Sequence, residues 1–124
     1  GKLALGETKI GSSWYYFRGN GTMFTGWREV GKNKYYYGTD GKLALGETKI
    51  GSSWYYFREN GTMLTGWREV GRNKYYYNED GTLTFGTKKI NGNWYAFSKR
   101  NGQMVVNSWY EGKYYGKDGI RVES

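Results

Sequence analysis

The sequence predicts an all-β fold, a solenoid of about six β-hairpins of about 20 residues each. Three observations predict it: a long internal repeat, a glycine at every twentieth position, and an aromatic run in each period. Residues 1–40 and 41–80 are identical at 35 of 40 positions, differing only at Gly19/Glu59, Phe24/Leu64, Lys32/Arg72, Gly38/Asn78 and Thr39/Glu79. Beneath that lies the finer period, marked by Gly6, Gly26, Gly46, Gly66 and Gly86.

Each period follows one template. An aliphatic residue (Ile10, Val30, Ile50, Val70, Ile90) stands four positions after the opening glycine. Next comes an aromatic run: Trp14-Tyr15-Tyr16-Phe17, Tyr35-Tyr36-Tyr37, residues 54–57, residues 75–77, and Trp94-Tyr95-Ala96-Phe97. Aromatic side chains favour the pleated strand. Asn20-Gly21, Asp40-Gly41, Asn60-Gly61, Asp80-Gly81, Asn101-Gly102 and Asp118-Gly119 follow, and they supply the positive φ of a tight hairpin loop. A short apolar segment around Met23, Leu43, Met63, Leu83 or Met104 then reads as the second strand. A single two-stranded hairpin is marginal in water, so the units are expected to stack on one another.

The expected organisation is one repeat module over residues 1–124, cut from a longer protein. Its units are a partial one at about 1–6, then 7–26, 27–46, 47–66, 67–86, 87–107 and a shortened 108–124. Strand alternation divides each aromatic run between two faces. Tyr15, Phe17, Tyr35, Tyr37, Tyr55, Phe57, Tyr75, Tyr77, Tyr95 and Phe97 are assigned to the core. The Trp14/Tyr16 side is left for neighbouring hairpins or a ligand. The partial first unit leaves Leu3 and Leu5 on an uncovered end, which predicts end-to-end self-association.

Composition narrows the chemistry. The 124 residues hold 21 glycines, 14 tyrosines and 6 tryptophans, but no proline, cysteine or histidine. That excludes a zinc site of the usual kind, a Ser-His-Asp triad and a thiolate nucleophile. Asp40, Asp80 and Asp118 sit in turn positions, and Ser12 and Ser13 have no base available. No enzyme and no cofactor is expected within the chain, and no segment is long enough to cross a membrane. The net charge of +8 suits anionic polymers and also serves to keep a ring-rich surface soluble. Nucleic acid is not the expected partner. The lysines are spread through every unit among glutamates, where single-strand binding calls for a basic stripe.

Taken together, Gly26-Trp27, Trp14-Tyr15-Tyr16-Phe17 and Asn20-Gly21-Thr22-Met23-Phe24-Thr25-Gly26-Trp27 resemble the cell-wall-binding repeats of Gram-positive surface proteins. Choline-binding modules of pneumococcal autolysins, glucan-binding repeats of streptococcal glucosyltransferases and receptor-binding repeats of clostridial toxins share that pattern. The resemblance implies a left-handed solenoid with ligand pockets between consecutive hairpins. It implies a secreted, surface-anchoring binding module for a wall polymer or glycan such as teichoic acid or glucan, with choline the alternative ligand. In the choline-binding branch, two tryptophans and a nearby tyrosine cage a quaternary ammonium.

Carried over to this chain, the first tryptophan stands at Trp27 and Trp67, with Trp109 an approximate counterpart. The second stands at Trp14, Trp54 and Trp94. Tyr36 and Tyr76 complete the set of candidate ligand residues. The two tryptophans never share a unit: Lys34 and Lys74 replace the second, and Glu7 and Glu47 replace the first. A lysine ammonium at the wall of a cation cage repels the ligand unless its stem carries the charge to solvent. The expectation is therefore a surface polymer ahead of choline, with a mixed cage of Trp14, Trp27 and Tyr36 as the form a choline site would take. A structural spacer without pockets is the remaining reading.

Overall fold

The computed structural model of the chain describes residues 6–122. It is all-β: twelve strands pair into six two-stranded antiparallel sheets, and no helix occurs among the described residues. The expected fold class of tandem hairpins holds. The chain divides into two compact units, Gly1–Leu64 and Thr65–Ser124. The self-association expected through Leu3 and Leu5 falls outside the described residues.

The first unit contains β1 (Gly6–Ile10) with β2 (Ser13–Phe17), β3 (Gly26–Val30) with β4 (Asn33–Tyr37), and β5 (Gly46–Ile50) with β6 (Ser53–Phe57). The second contains β7 (Gly66–Val70) with β8 (Asn73–Tyr77), β9 (Gly86–Ile90) with β10 (Asn93–Phe97), and the shorter β11 (Ser108–Tyr110) with β12 (Lys113–Tyr115). Every aromatic run is thus the second strand of a hairpin, with its partner upstream in sequence.

This corrects the placing of the hairpin loop. In β1–β2 the register runs from Gly6 opposite Phe17 to Ile10 opposite Ser13, so the loop is Gly11-Ser12. Only the first loop residue has positive φ, 65° at Gly11, which is the type II′ pattern. In β9–β10 both loop residues do, Asn91 at 50° and Gly92 at 88°, the type I′ pattern. Both turns twist in the sense the flanking strands require.

The Asn-Gly and Asp-Gly pairs also turn the chain, but onto a single bridge and not onto a second strand. Gly21 N–H donates to the Arg18 carbonyl and Arg18 N–H to that of Thr22, both at 2.8 Å. The Asn20 carboxamide oxygen accepts the Thr22 N–H at 3.0 Å. The chain then touches the aromatic strand once, Phe17 against Met23. Tyr37 with Leu43, Phe57 with Met63, Tyr77 with Leu83, Phe97 with Met104 and Tyr115 with Arg121 repeat that bridge.

The bridging segments tie hairpins together within each unit. In the first, Leu43 N–H donates to the Trp14 carbonyl at 2.8 Å and Met63 N–H to that of Lys34 at 2.9 Å. In the second, Met104 N–H reaches Lys74 and Arg121 N–H reaches Trp94, at 2.8 and 2.9 Å. Side chains follow the same order. A Cβ on Gly61 would lie 2.7 Å from a Leu43 methyl, and one on Gly102 2.7 Å from a methyl of Leu83. The turn glycine of one hairpin is therefore the floor on which the previous bridge residue sits.

The core is narrower than expected. The last ring of the aromatic strand is buried at Tyr37 and Phe57 in the first unit, and at Tyr77, Phe97 and Tyr115 in the second. Each such burial stabilises by about 1.5–3 kcal/mol. Phe17 is only half-buried. Tyr15, Tyr35, Tyr55, Tyr75 and Tyr95 share that face, yet all are half-buried. They stand two residues nearer the hairpin loop than the buried ring.

Candidate functional site

Trp27 follows the opening glycine of β3, and the strand register sets it opposite Tyr36. The two rings meet edge to face, with centroids 5.1 Å apart. The next hairpin supplies two more rings, Tyr55 at 5.2 Å and Phe57 at 5.8 Å. In the second unit Trp67 has the same company: Tyr76 at 5.1 Å, Tyr95 at 5.0 Å and Phe97 at 6.0 Å. Tilted and edge-on rings at these separations are the favourable arrangement for aromatic clusters. Trp27 and Trp67 keep 41% and 40% of their surface exposed, so an outer face remains for contact.

A cleft opens beside each cluster. Trp67, Arg68, Glu69, Lys74, Tyr95, Met104 and Asp118 line one of about 300 Å³. Trp27, Arg28, Glu29 and Lys34 line one of about 280 Å³. The lysines that replace the second tryptophan do stand at the cleft wall. They do not stand alone there: strand register pairs Glu29 with Lys34 and Glu69 with Lys74. The Lys74 ammonium lies 3.7 Å from the Glu69 carboxylate. Two basic groups at the second cleft are thus matched by the carboxylates of Glu69 and Asp118. The pair is solvent-exposed and adds little stability, but it offsets the charge a bound cation would meet.

The other tryptophans fall into different surroundings. Trp14 lines a separate cleft with Glu7, Leu43, Glu59 and Asn60, so it does not join Trp27 and Tyr36 in one cage. Trp54 is 39% exposed and faces Lys49 across its strand pair. Trp94 is more covered, with the Arg121 guanidinium 5.3 Å above its ring. Trp109 is the most open, at 72%, and meets Tyr114 edge-on at 5.3 Å.

Of the candidate residues, the strand register sets Trp27 opposite Tyr36 and Trp67 opposite Tyr76. Tyr55 and Tyr95, assigned to the core, join the tryptophan clusters instead, while Phe57 and Phe97 are core rings as expected and lie against the same tryptophans. Sequence reasoning missed the carboxylates of Glu69 and Asp118. A signal for Glu69 was present: it lies two residues after Trp67 on the same strand, and alternation puts both on one face.

Arg28 connects the first two hairpins. Its guanidinium lies 4.0 Å above the Tyr16 ring and 3.8 Å from the Glu7 carboxylate. Burial pushes the Tyr37 phenol above its ordinary value, while the nearby Arg28 guanidinium pulls it back in part.

Comparison with known proteins matches this geometry to one family. The choline-binding repeat matches residues 4–47, 44–81 and 64–109. No curated protein sequence matches the chain. Among solved structures, CbpJ of Streptococcus pneumoniae is 36% identical with a TM-score of 0.90, covering 96% of this chain and 41% of its own. Choline binding protein F of the same species is 34% identical with a TM-score of 0.91, covering 99% and 42%; it has also been solved with ipratropium. The Cpl-1 endolysin, solved with a peptidoglycan analogue, is 28% identical with a TM-score of 0.63, covering 99% and 38%. The chain therefore spans about two fifths of the length of these relatives. The chain belongs to the choline-binding repeat family of cell-wall-binding, non-catalytic modules.

Proposed function

We propose that the module holds a larger surface protein on the bacterial cell wall by seating choline headgroups of a wall polymer in the clefts beside Trp27 and Trp67. The observation that carries this reading is the Trp67 cleft, where a tryptophan and a tyrosine ring stand beside two carboxylates. Ring faces attract a desolvated organic cation, and carboxylates at the rim add long-range attraction. The pairing of Lys74 with Glu69 answers the repulsion that argued against choline from sequence alone. Ipratropium, the ligand solved with choline binding protein F, is itself a quaternary ammonium. A single shallow cleft of this size binds weakly. Recurrence along one chain raises effective concentration on a polymer that carries many headgroups.

The test is retention on Gram-positive walls whose teichoic acid carries choline, competed separately with choline, dextran and purified teichoic acid. Choline and the choline-bearing polymer are expected to release the protein, and dextran is not. Trp67→Ala is expected to weaken retention by about 1–3 kcal/mol, or about 5- to 150-fold. Release by dextran alone would replace the cation reading with a glucan one. Undiminished retention of the Trp67 variant would leave these rings with a packing role only.

A further inference from the structure

Trp14 and Trp94 hold the same place in their hairpins, each opposite a lysine across the strand pair, Lys9 or Lys89. The carbonyl of each accepts the N–H of the next bridging residue, Leu43 for Trp14 at 2.8 Å and Arg121 for Trp94 at 2.9 Å. The backbone therefore delivers the same position to both rings, but with different side chains. Leu43 lines an open cleft in which Glu7 and Glu59 accompany Trp14. Arg121 lays its guanidinium over Trp94, 5.3 Å from the ring centroid. Trp14 is 41% exposed, whereas Trp94 is half-buried. The surrounding charge changes in step. Thr87 follows Gly86 where Glu7 follows Gly6, so a carboxylate present beside Trp14 has no counterpart beside Trp94.

We infer that Arg121 is a resident cation on Trp94, closing that ring to an external ligand, while the equivalent Trp14 cleft takes an ammonium ligand from outside. The inference rests on the organic-cation reading above and assigns which rings serve it. A guanidinium is a planar, weakly hydrated cation well suited to lie on an indole face. It is tethered, so it holds the site without the entropy loss that a free ligand suffers.

The experiment follows the six tryptophan indole N–H signals of the ¹⁵N-labelled chain by NMR while choline chloride is added. In the wild type the Trp14 signal is expected to shift and the Trp94 signal to stay. In Arg121→Leu, which installs the residue found at Leu43, Trp94 is expected to respond as Trp14 does; in Arg121→Lys it is expected to stay closed. Slow exchange of the residue 121 amide shows that each variant keeps its bond to Trp94. A separate readout needs no ligand: the Arg121 side-chain protons are expected upfield from the ring current, and Trp94→Leu removes that shift. A wild-type Trp94 that moves as far as Trp14 overturns the inference. So does a silent Trp94 in Arg121→Leu while Trp14 responds, or an Arg121 without the ring-current shift. If no indole responds although that shift is present, the cation-binding reading has failed, and the assignment of Trp14 falls with it.

Discussion

The Trp27 cluster of the first unit and the Trp67 cluster of the second agree within 0.2 Å in all three ring separations. The Trp14 and Trp94 surroundings share the same backbone bond, 2.8 and 2.9 Å, and a lysine across the strand pair, but Leu43 and Glu7 at the first give way to Arg121 and Thr87 at the second. Where residues 1–40 recur as 41–80, both backbone and cleft recur. Where the repeat decays, after about residue 84, the backbone bond persists but the side chains around the Trp94 ring change. Placement and recognition are therefore written in different residues. Glycines, bridge residues and the last ring of each aromatic strand place the hairpin. A few positions beside the tryptophans decide what it meets.

The largest effects should come from the placing residues, and they should be equal in the two units. Phe57 and Phe97 are both fully buried at the end of their strands. Phe57→Ala and Phe97→Ala are each expected to cost about 3–5 kcal/mol, measured by urea unfolding. A clearly smaller cost for Phe97→Ala would mean that decay of the repeat has loosened placement as well as recognition.

Two glycines sharpen the same point at lower cost. Gly11 has a φ of 65° and nothing within 4 Å of a Cβ, so Gly11→Ala should cost only the backbone strain, about 1–2 kcal/mol. Gly61 has a φ of 88° and would also push a Cβ against Leu43. Gly61→Ala should therefore cost more, by up to about 1–3 kcal/mol of overpacking. Leu43→Ala in the same chain should recover that excess and leave the backbone part, a coupling that a double-mutant cycle reads directly.

Much of this was legible in the sequence, and the failures have physical causes. The period and the strand character of the aromatic runs follow from spacing and alternation. The hairpin was misplaced because Asn20-Gly21 is the stronger turn signal, whereas Gly11-Ser12 needs only one glycine for a type II′ loop. The fifth hairpin carried the clue openly, since Asn91-Gly92 occupies that loop position as a type I′ pair. Gly6–Ile10 was overlooked as a strand because Glu7 and Lys9 make it polar on the solvent side. The covering of Trp94 by Arg121 was not readable. It depends on a hydrogen bond between residues 27 positions apart, which no local pattern announces.

The smallest expected effect concerns the alternation of anchors within a unit, Tyr37 in one hairpin and Phe57 in the next. Burial holds the Tyr37 phenol above its ordinary value, with the Arg28 guanidinium opposing in part. A tyrosine titrates near about 10 in an unfolded chain. Below that value both states keep the proton, and the favourable burial of the neutral phenol is fully present. As pH rises from there through the folded value, the unfolded chain releases a proton that the folded chain retains. Unfolding is then favoured and stability falls with pH. Tyr37→Phe has no proton to release, so it should lose less stability than wild type between about pH 8 and about pH 11. At neutral pH the variant should lie within about 1 kcal/mol of wild type, because it loses only a hydroxyl near the Arg28 guanidinium. Urea unfolding at both pH values reads the two effects together. An equal loss in the two proteins would mean that the alkaline weakness does not come from the tyrosine anchor.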